Sequence, residues 1–139
     1  MDTHTGSEKA LEEGTALLLQ FDKRGGLLPV VVQEQGSGLI LMVGYANQEA
    51  LQATLQKKLA TFWSTSRQTL WTKGETSGDY LMVKQILTDC DQDALVYVVE
   101  KKGRGVCHTK NKHQLARRTC FYRNIDLATR ELVKIEAFE

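Results

Sequence analysis

Apolar and polar positions divide the chain into short runs with two different periods. Leu28-Pro29-Val30-Val31-Val32-Gln33 and Leu39-Ile40-Leu41-Met42-Val43-Gly44-Tyr45 are apolar and rich in β-branched residues, and Gln35-Gly36-Ser37-Gly38 between them predicts a hairpin. Pro29 stands at the start of the first run, where its missing N–H does least harm to a ladder. From Asn47, a good N-cap, the period becomes helical: Ala50, Leu51, Leu55 and Leu59 fall on one side of a helix reaching about residue 59, packed against the hairpin. Ala60-Thr61-Phe62-Trp63-Ser64 reads as a returning strand, and residues 66–79 as a long, polar, glycine-bearing loop. Leu81 to Thr88 and Ala94 to Glu100 predict a second hairpin around an acidic turn, with Phe121 to Ile125 as a further strand. Residues 7–20 suit a short helix with Ser7 as N-cap and Leu11, Thr15, Leu18 and Leu19 on one side, weakened by Gly14. These elements compose an α+β fold, mainly antiparallel β-sheet with one or two helices.

The length of 139 residues fits one domain over residues 1–139, with residues 1–20 as an N-terminal extension. Hydrophobic residues make up 42% and charged residues 25%, an ordinary globular balance, and the net charge of +1 argues against a general nucleic-acid binder. No stretch approaches the roughly 18 to 20 apolar residues of a membrane span. The polar, acidic start from Met1 to Glu13 does not read as a signal peptide, so the expected location is the cytoplasm and no membrane partner is expected.

The chemistry concentrates in Thr88-Asp89-Cys90-Asp91-Gln92-Asp93. On an extended backbone Asp89, Asp91 and Asp93 would project to one side, with Cys90 and Gln92 on the other. A carboxylate trio suits Mg²⁺ and a thiolate suits Zn²⁺, so one short segment could serve both metals. The same residues also read as a solvated acidic turn with a small buried thiol. A calcium loop counted from Asp89 fails, because Ala94 stands where the sharp turn needs glycine. The three cysteines, Cys90, Cys107 and Cys120, are odd in number and lie in the C-terminal half, which favours a thiolate metal site over disulfides. Three thiolates leave a tetrahedral metal one open position.

Trp63-Ser64-Thr65-Ser66-Arg67, then Leu70-Trp71-Thr72-Lys73-Gly74-Glu75-Thr76-Ser77-Gly78, Asp89-Cys90-Asp91-Gln92-Asp93-Ala94-Leu95 and Cys107-His108-Thr109, in this order, resemble the phosphoribosyl-AMP cyclohydrolases of histidine biosynthesis. The resemblance covers roughly residues 21 to 124. It implies a homodimer that hydrolytically opens the adenine ring of N1-(5-phosphoribosyl)-AMP at the N1–C6 bond, using Zn²⁺ and Mg²⁺. It further implies zinc on Cys90, Cys107 and Cys120, magnesium on Asp89, Asp91 and Asp93, and a metal site at the dimer interface that draws ligands from both subunits. The substrate-binding set it implies is Trp63, Ser64, Ser66, Arg67, Trp71, Lys73, Gly74, Glu75 and Ser77. One departure stands out: Lys110 replaces a glycine, and residues 111–118 lengthen the interval before Thr119-Cys120-Phe121. His113 lies inside this insertion, either as a surface histidine or as an alternative ligand.

The implied reaction needs a hydroxide at C6, which zinc provides by lowering the pKa of bound water toward about 7. His108 is the candidate for moving a proton between that water and N1, worth roughly 10²- to 10⁴-fold; alternatively it only orients the site. Two substrate phosphates call for cations, and Arg67, Lys73, Arg104, Lys110, Arg117 and Arg118 are available. Gly74 and Gly78 would let the backbone approach a ligand, and Trp63 or Trp71 could stack on a base, with a core role equally open to Trp63. Two competing readings remain. A zinc-stapled binding module would close the three thiols with His108 or His113 and leave the carboxylates without a task. A metal-dependent phosphohydrolase would use the carboxylates and leave the thiols unexplained.

Overall fold

The computed structural model describes residues 6–139. Helix α1 (Gly6–Glu13) precedes a 3-10 turn at Phe21–Arg24, strands β1 (Leu28–Glu34) and β2 (Ile40–Ala46), helix α2 (Gln48–Lys57), and strands β3 (Thr61–Ser64) and β4 (Thr69–Thr72). Strands β5 (Leu81–Thr88), β6 (Leu95–Lys101), β7 (Arg123–Ile125) and β8 (Leu132–Lys134) follow, and a 3-10 turn at Glu136–Phe138 ends the order. The α+β class and the mainly antiparallel pairing follow the expectation.

The main sheet runs β2-β1-β6-β5. Both hairpins form as the apolar runs require, β1 with β2 and β5 with β6, while β1 joins β6 in parallel from Val30 opposite Leu95 to Glu34 opposite Val99. Pro29 lies one residue before that parallel ladder begins, so its missing N–H falls outside it. Along β1 the alternate residues Leu28, Val30 and Val32 are fully buried, and they meet Tyr97 and Val99 of β6, Leu81 of β5 and Phe62 of β3 in one core. Gly44 is where β2 lets Phe62 in: a Cβ there would stand 2.6 Å from the Phe62 ring. Phe62 stacks on Trp71 at 5.0 Å and on Tyr97 at 5.9 Å between ring centroids.

Asn47 caps α2 as its sequence foretells, its side chain accepting from the Ala50 N–H at 2.8 Å. The buried face differs from expectation. Ala50, Leu51 and Thr54 are buried, whereas Leu55 is 44% exposed. Thr54 takes the core position because its hydroxyl donates to the Ala50 carbonyl (2.9 Å) and accepts the Thr61 N–H (3.1 Å), fastening β3 to the helix. Thr54→Val removes that acceptor while keeping the volume, leaving a buried N–H unpaired. We expect a loss of about 1–3 kcal/mol, read as a lower denaturant midpoint with an unchanged slope; an unchanged midpoint would mean that water replaces the bond.

The long loop expected over residues 66–79 contains β4, paired with β3 from Thr61 opposite Thr72 to Ser64 opposite Thr69. Its four residues, flanked by polar side chains, are too short to stand out as a strand. The strand expected at 121–125 is β7, and its partner β8 has no counterpart among the expected elements. Helix α1 begins at Gly6 and ends at Glu13, so Ser7 lies within it instead of at its cap, and it stops short of the expected residue 20.

Candidate active site

The acidic turn is not extended. Gln92 adopts a left-handed backbone (φ 56°), and Asp89 caps the bend by accepting the N–H groups of Asp93 (2.9 Å) and Ala94 (3.2 Å). The three carboxylates therefore do not alternate along a strand as expected, yet the bend still brings them together. Oxygens of Asp89, Asp91 and Asp93 lie within 4.8 Å of one another, the only such three-ligand group among the described residues. Gln92 is buried and ties the turn to the segment before β1: its side chain accepts the Leu18 N–H (2.7 Å) and donates to the Leu11 carbonyl (3.0 Å), and its carbonyl accepts the Gln20 N–H (2.8 Å). Cys90 lines a groove against this same segment together with Gln92 and Asp89, so the expected division into two faces does not hold there.

Two cations compensate the trio. Lys23 Nζ stands 2.7 Å from Asp93 and 3.0 Å from Asp91, and Arg24 reaches Asp93 at 3.0 Å. The Lys23 ammonium, aided by Asp89, Asp91 and Arg24, holds the Asp93 carboxyl far below the usual carboxylate range. Burial pushes Asp89 up, and the neighbouring Asp93 and Asp91 carboxyls add to that rise. Three oxygens converging on one point, already drawing in an ammonium, form a donor set that suits a hard divalent cation. Lys23 and Arg24 were not foreseen as part of the site, because nothing near them in the chain marks a partner some seventy residues away.

The second cluster lies past the other end of β6. Cys107 is buried after that strand, and Cys120 is anchored to β2 by donating its N–H to the Leu41 carbonyl at 2.8 Å. The Cys107 Sγ lies 2.9 Å from the Thr109 hydroxyl and receives the Thr109 N–H at 3.5 Å. Burial raises the Cys107 thiol, but Thr109, Cys120 and the charge of Lys73 outweigh it and bring it below its ordinary value. Burial and the neighbouring Cys107 push Cys120 up to about 11. Two thiols coupled in this way form a donor pair fit for a soft cation. Cys90 does not join them within one chain: no three-ligand group among the described residues contains all three thiols.

A cleft of about 790 Å³ opens beside Cys107 and His108. Lys73 and Ser77 line it from the β4–β5 connection, Lys102 and Arg104 from the turn after β6, and Lys110 from the insertion. Asp79 joins two of these walls by accepting the Arg104 N–H at 3.1 Å. The candidate phosphate cations now separate. Lys73, Arg104 and Lys110 face the cleft, whereas Arg117 is bound to Glu139 and Arg118 to Glu34. Glu75 is exposed on the same connection, and Gly74 is dictated by the turn itself: its φ is 91°, and a Cβ would meet the Asp79 backbone at 2.4 Å. Trp71 packs against the core and Trp63 does not, the reverse of the expected emphasis. Ser64 accepts the Arg67 N–H (3.2 Å) in the β3–β4 turn, where Ser66 and Arg67 are exposed at the far end of that hairpin from Lys73. His113 is exposed, and its N–H is bound to Asn111, away from any three-ligand group.

An α+β domain that sets a thiol, a histidine and several basic side chains around one open cleft has the layout of an enzyme, and the comparisons with known proteins place it among the hydrolases. Residues 42–122 match the family model described as phosphoribosyl-AMP cyclohydrolase. The chain is 50% identical over 108 residues to the phosphoribosyl-AMP cyclohydrolase of Solibacter usitatus, covering 78% of this chain and 81% of that one. It is 47% identical over 122 residues to that of a Chelativorans species (87% and 83% covered) and 47% over 119 residues to that of Brucella canis (85% and 81%). The chain belongs to the phosphoribosyl-AMP cyclohydrolase family. No described helix is long and apolar enough to cross a membrane.

Proposed function

We propose that this protein opens the adenine ring of N1-(5-phosphoribosyl)-AMP by hydrolysing its N1–C6 bond, in the cytoplasm, as a zinc- and magnesium-dependent homodimer in histidine biosynthesis. The observation that carries the reading is the basic cleft beside Cys107 and His108, with Cys120 next to Cys107, in a member of this family. Cys107 and Cys120 would hold zinc together with Cys90 of the partner subunit, and Asp89, Asp91 and Asp93 would hold magnesium. When bound, zinc supplies water acidified toward about pKa 7, a nucleophile available at neutral pH.

The rest falls to the chain. Lys73, Arg104 and Lys110 grip a substrate phosphate and orient the base above Cys107. His108, exposed on the cleft wall, takes the proton released as water adds to C6 and delivers it to N1. The C6–N1 bond breaks, N1 keeps the electron pair and that proton, and C6 becomes a carboxamide that retains the exocyclic nitrogen. Ser77 and Glu75 on the same connection, and Trp63, Ser64, Ser66, Arg67 and Trp71 of the β3–β4 hairpin, complete the proposed substrate contacts. A partner subunit also has surface to cover: Ile40, Val43 and Tyr45 on β2, and Ile125, Leu132 and Val133 on β7 and β8, are all exposed. Purified protein should convert phosphoribosyl-AMP with the absorbance change of ring opening, and lose that turnover to a zinc chelator. Zinc-replete protein with no turnover would refute the reading.

A further inference from the structure

Residues 110–118 leave the Cys107 loop as a small excursion and return at Thr119. Lys110 bridges Ala116, and the Asn111 side chain accepts the N–H groups of His113 (2.9 Å) and Leu115 (3.1 Å), so the excursion is an ordered hairpin. It forms one wall of the cleft through Lys110, Gln114, Leu115 and Ala116. At its base the Arg117 carbonyl accepts the N–H groups of both Val106 (2.9 Å) and Cys107 (3.1 Å), and the Arg117 N–H donates to the Thr109 carbonyl (3.1 Å). The position of Cys107 therefore follows the position of the Arg117 peptide.

What holds Arg117 lies well beyond the family match, which ends at residue 122. Its guanidinium makes a two-point bond to Glu139, Nε to Oε2 and Nη2 to Oε1, both at 2.8 Å. Both side chains are nearly excluded from water, 6% and 9% exposed, and the guanidinium stacks 4.1 Å over the Tyr122 ring. Parallel charge-assisted bonds to a planar fork fix orientation as well as distance. The flanking pairs are weaker: Lys112 to Glu136 at 3.4 Å is exposed, and Lys134 reaches Glu139 at 3.9 Å.

We infer that Glu139 is a positioning residue of this site: acting through Arg117, it holds the Cys107 loop and the hairpin wall of the cleft in the geometry that the chemistry requires. The inference rests on the proposed function where zinc affinity and activity are measured, and is independent of it in the exchange measurement. Its test compares the unaltered 139-residue chain with Glu139→Gln and Glu139→Asp, the second keeping the charge but too short for both bonds without movement. Amide hydrogen exchange without added metal should quicken at Val106 and Cys107 by about tenfold or more in Glu139→Gln, with Tyr97 and Val99 unchanged. Zinc affinity, titrated with the metal alone against a competing dye, should fall about 10- to 100-fold, as for groups that orient a ligand from behind. Turnover should fall mainly in kcat, by about tenfold, because small misplacement of reacting groups weakens the step more than binding. Glu139→Asp should fall between Glu139→Gln and wild type in all three. Wild-type exchange at Val106 and Cys107 in Glu139→Gln would overturn the inference, as would equal acceleration across the core, which marks a global stabiliser. Unchanged zinc affinity would overturn it too. A wild-type enzyme without turnover would refute the proposed function alone, since exchange still decides this one.

Discussion

Cys107→Ser is expected to strip the protein of zinc and to lower kcat/KM by about a thousandfold or more, the loss of a metal-activated nucleophile. The two side chains differ little in volume, so the buried site after β6 keeps its packing while its chemistry changes. A serine hydroxyl stays protonated and is a poor ligand for a soft cation, whereas Cys107 has Thr109, Cys120 and Lys73 arranged to favour its thiolate. Elemental analysis and steady-state kinetics on the same preparation check it, with circular dichroism confirming the fold. Asp91→Asn combined with Asp93→Asn gives the contrast: zinc should stay and the response to magnesium should change. Full zinc content and activity within tenfold of wild type in Cys107→Ser would remove Cys107 from the ligand set.

Cys90→Ala and Cys120→Ala should each be inactive alone, yet a refolded mixture should recover about a quarter of wild-type activity. The number follows from two-fold pairing. At equal mixing about half the dimers are mixed, and each mixed dimer rebuilds one of its two sites, with Cys90 from one chain and Cys107 and Cys120 from the other. The structure motivates the experiment, because among the described residues no three-ligand group joins Cys90 to the Cys107–Cys120 pair within one chain. Wild type carried through the same refolding must regain its activity for the result to count. No recovery in the mixture would mean that each site is built within one subunit.

How much of this was legible in the chain depends on whether neighbours or distant partners decide each feature. The β5–β6 hairpin and the α2 cap are local decisions, made by continuous apolar runs and by one Asn side chain, and both stand as expected. Thr54 was misjudged because hydropathy ranks it below Leu55, while the structure values its hydroxyl for a bond across to β3. The three carboxylates converge, but not by the expected alternation: Gln92 bends the chain, and the oxygens come together by turning. Lys23 on Asp93, Arg117 on Glu139 and the parallel alignment of β1 with β6 join segments far apart in sequence, and no pattern within either segment announces the other.

That parallel alignment also sets an order of events during synthesis. The β1–β2 hairpin can close as soon as Ala46 has left the ribosome, but the other side of β1 has no ladder until β6, ending at Lys101, follows. At roughly 5 to 20 residues per second the wait lasts several seconds. Throughout it the nascent chain carries Val30-Val31-Val32 on an open strand edge, the kind of template that pairs with another chain as readily as with its own. The strand that completes the sheet is thus also the one that covers the open edge of β1.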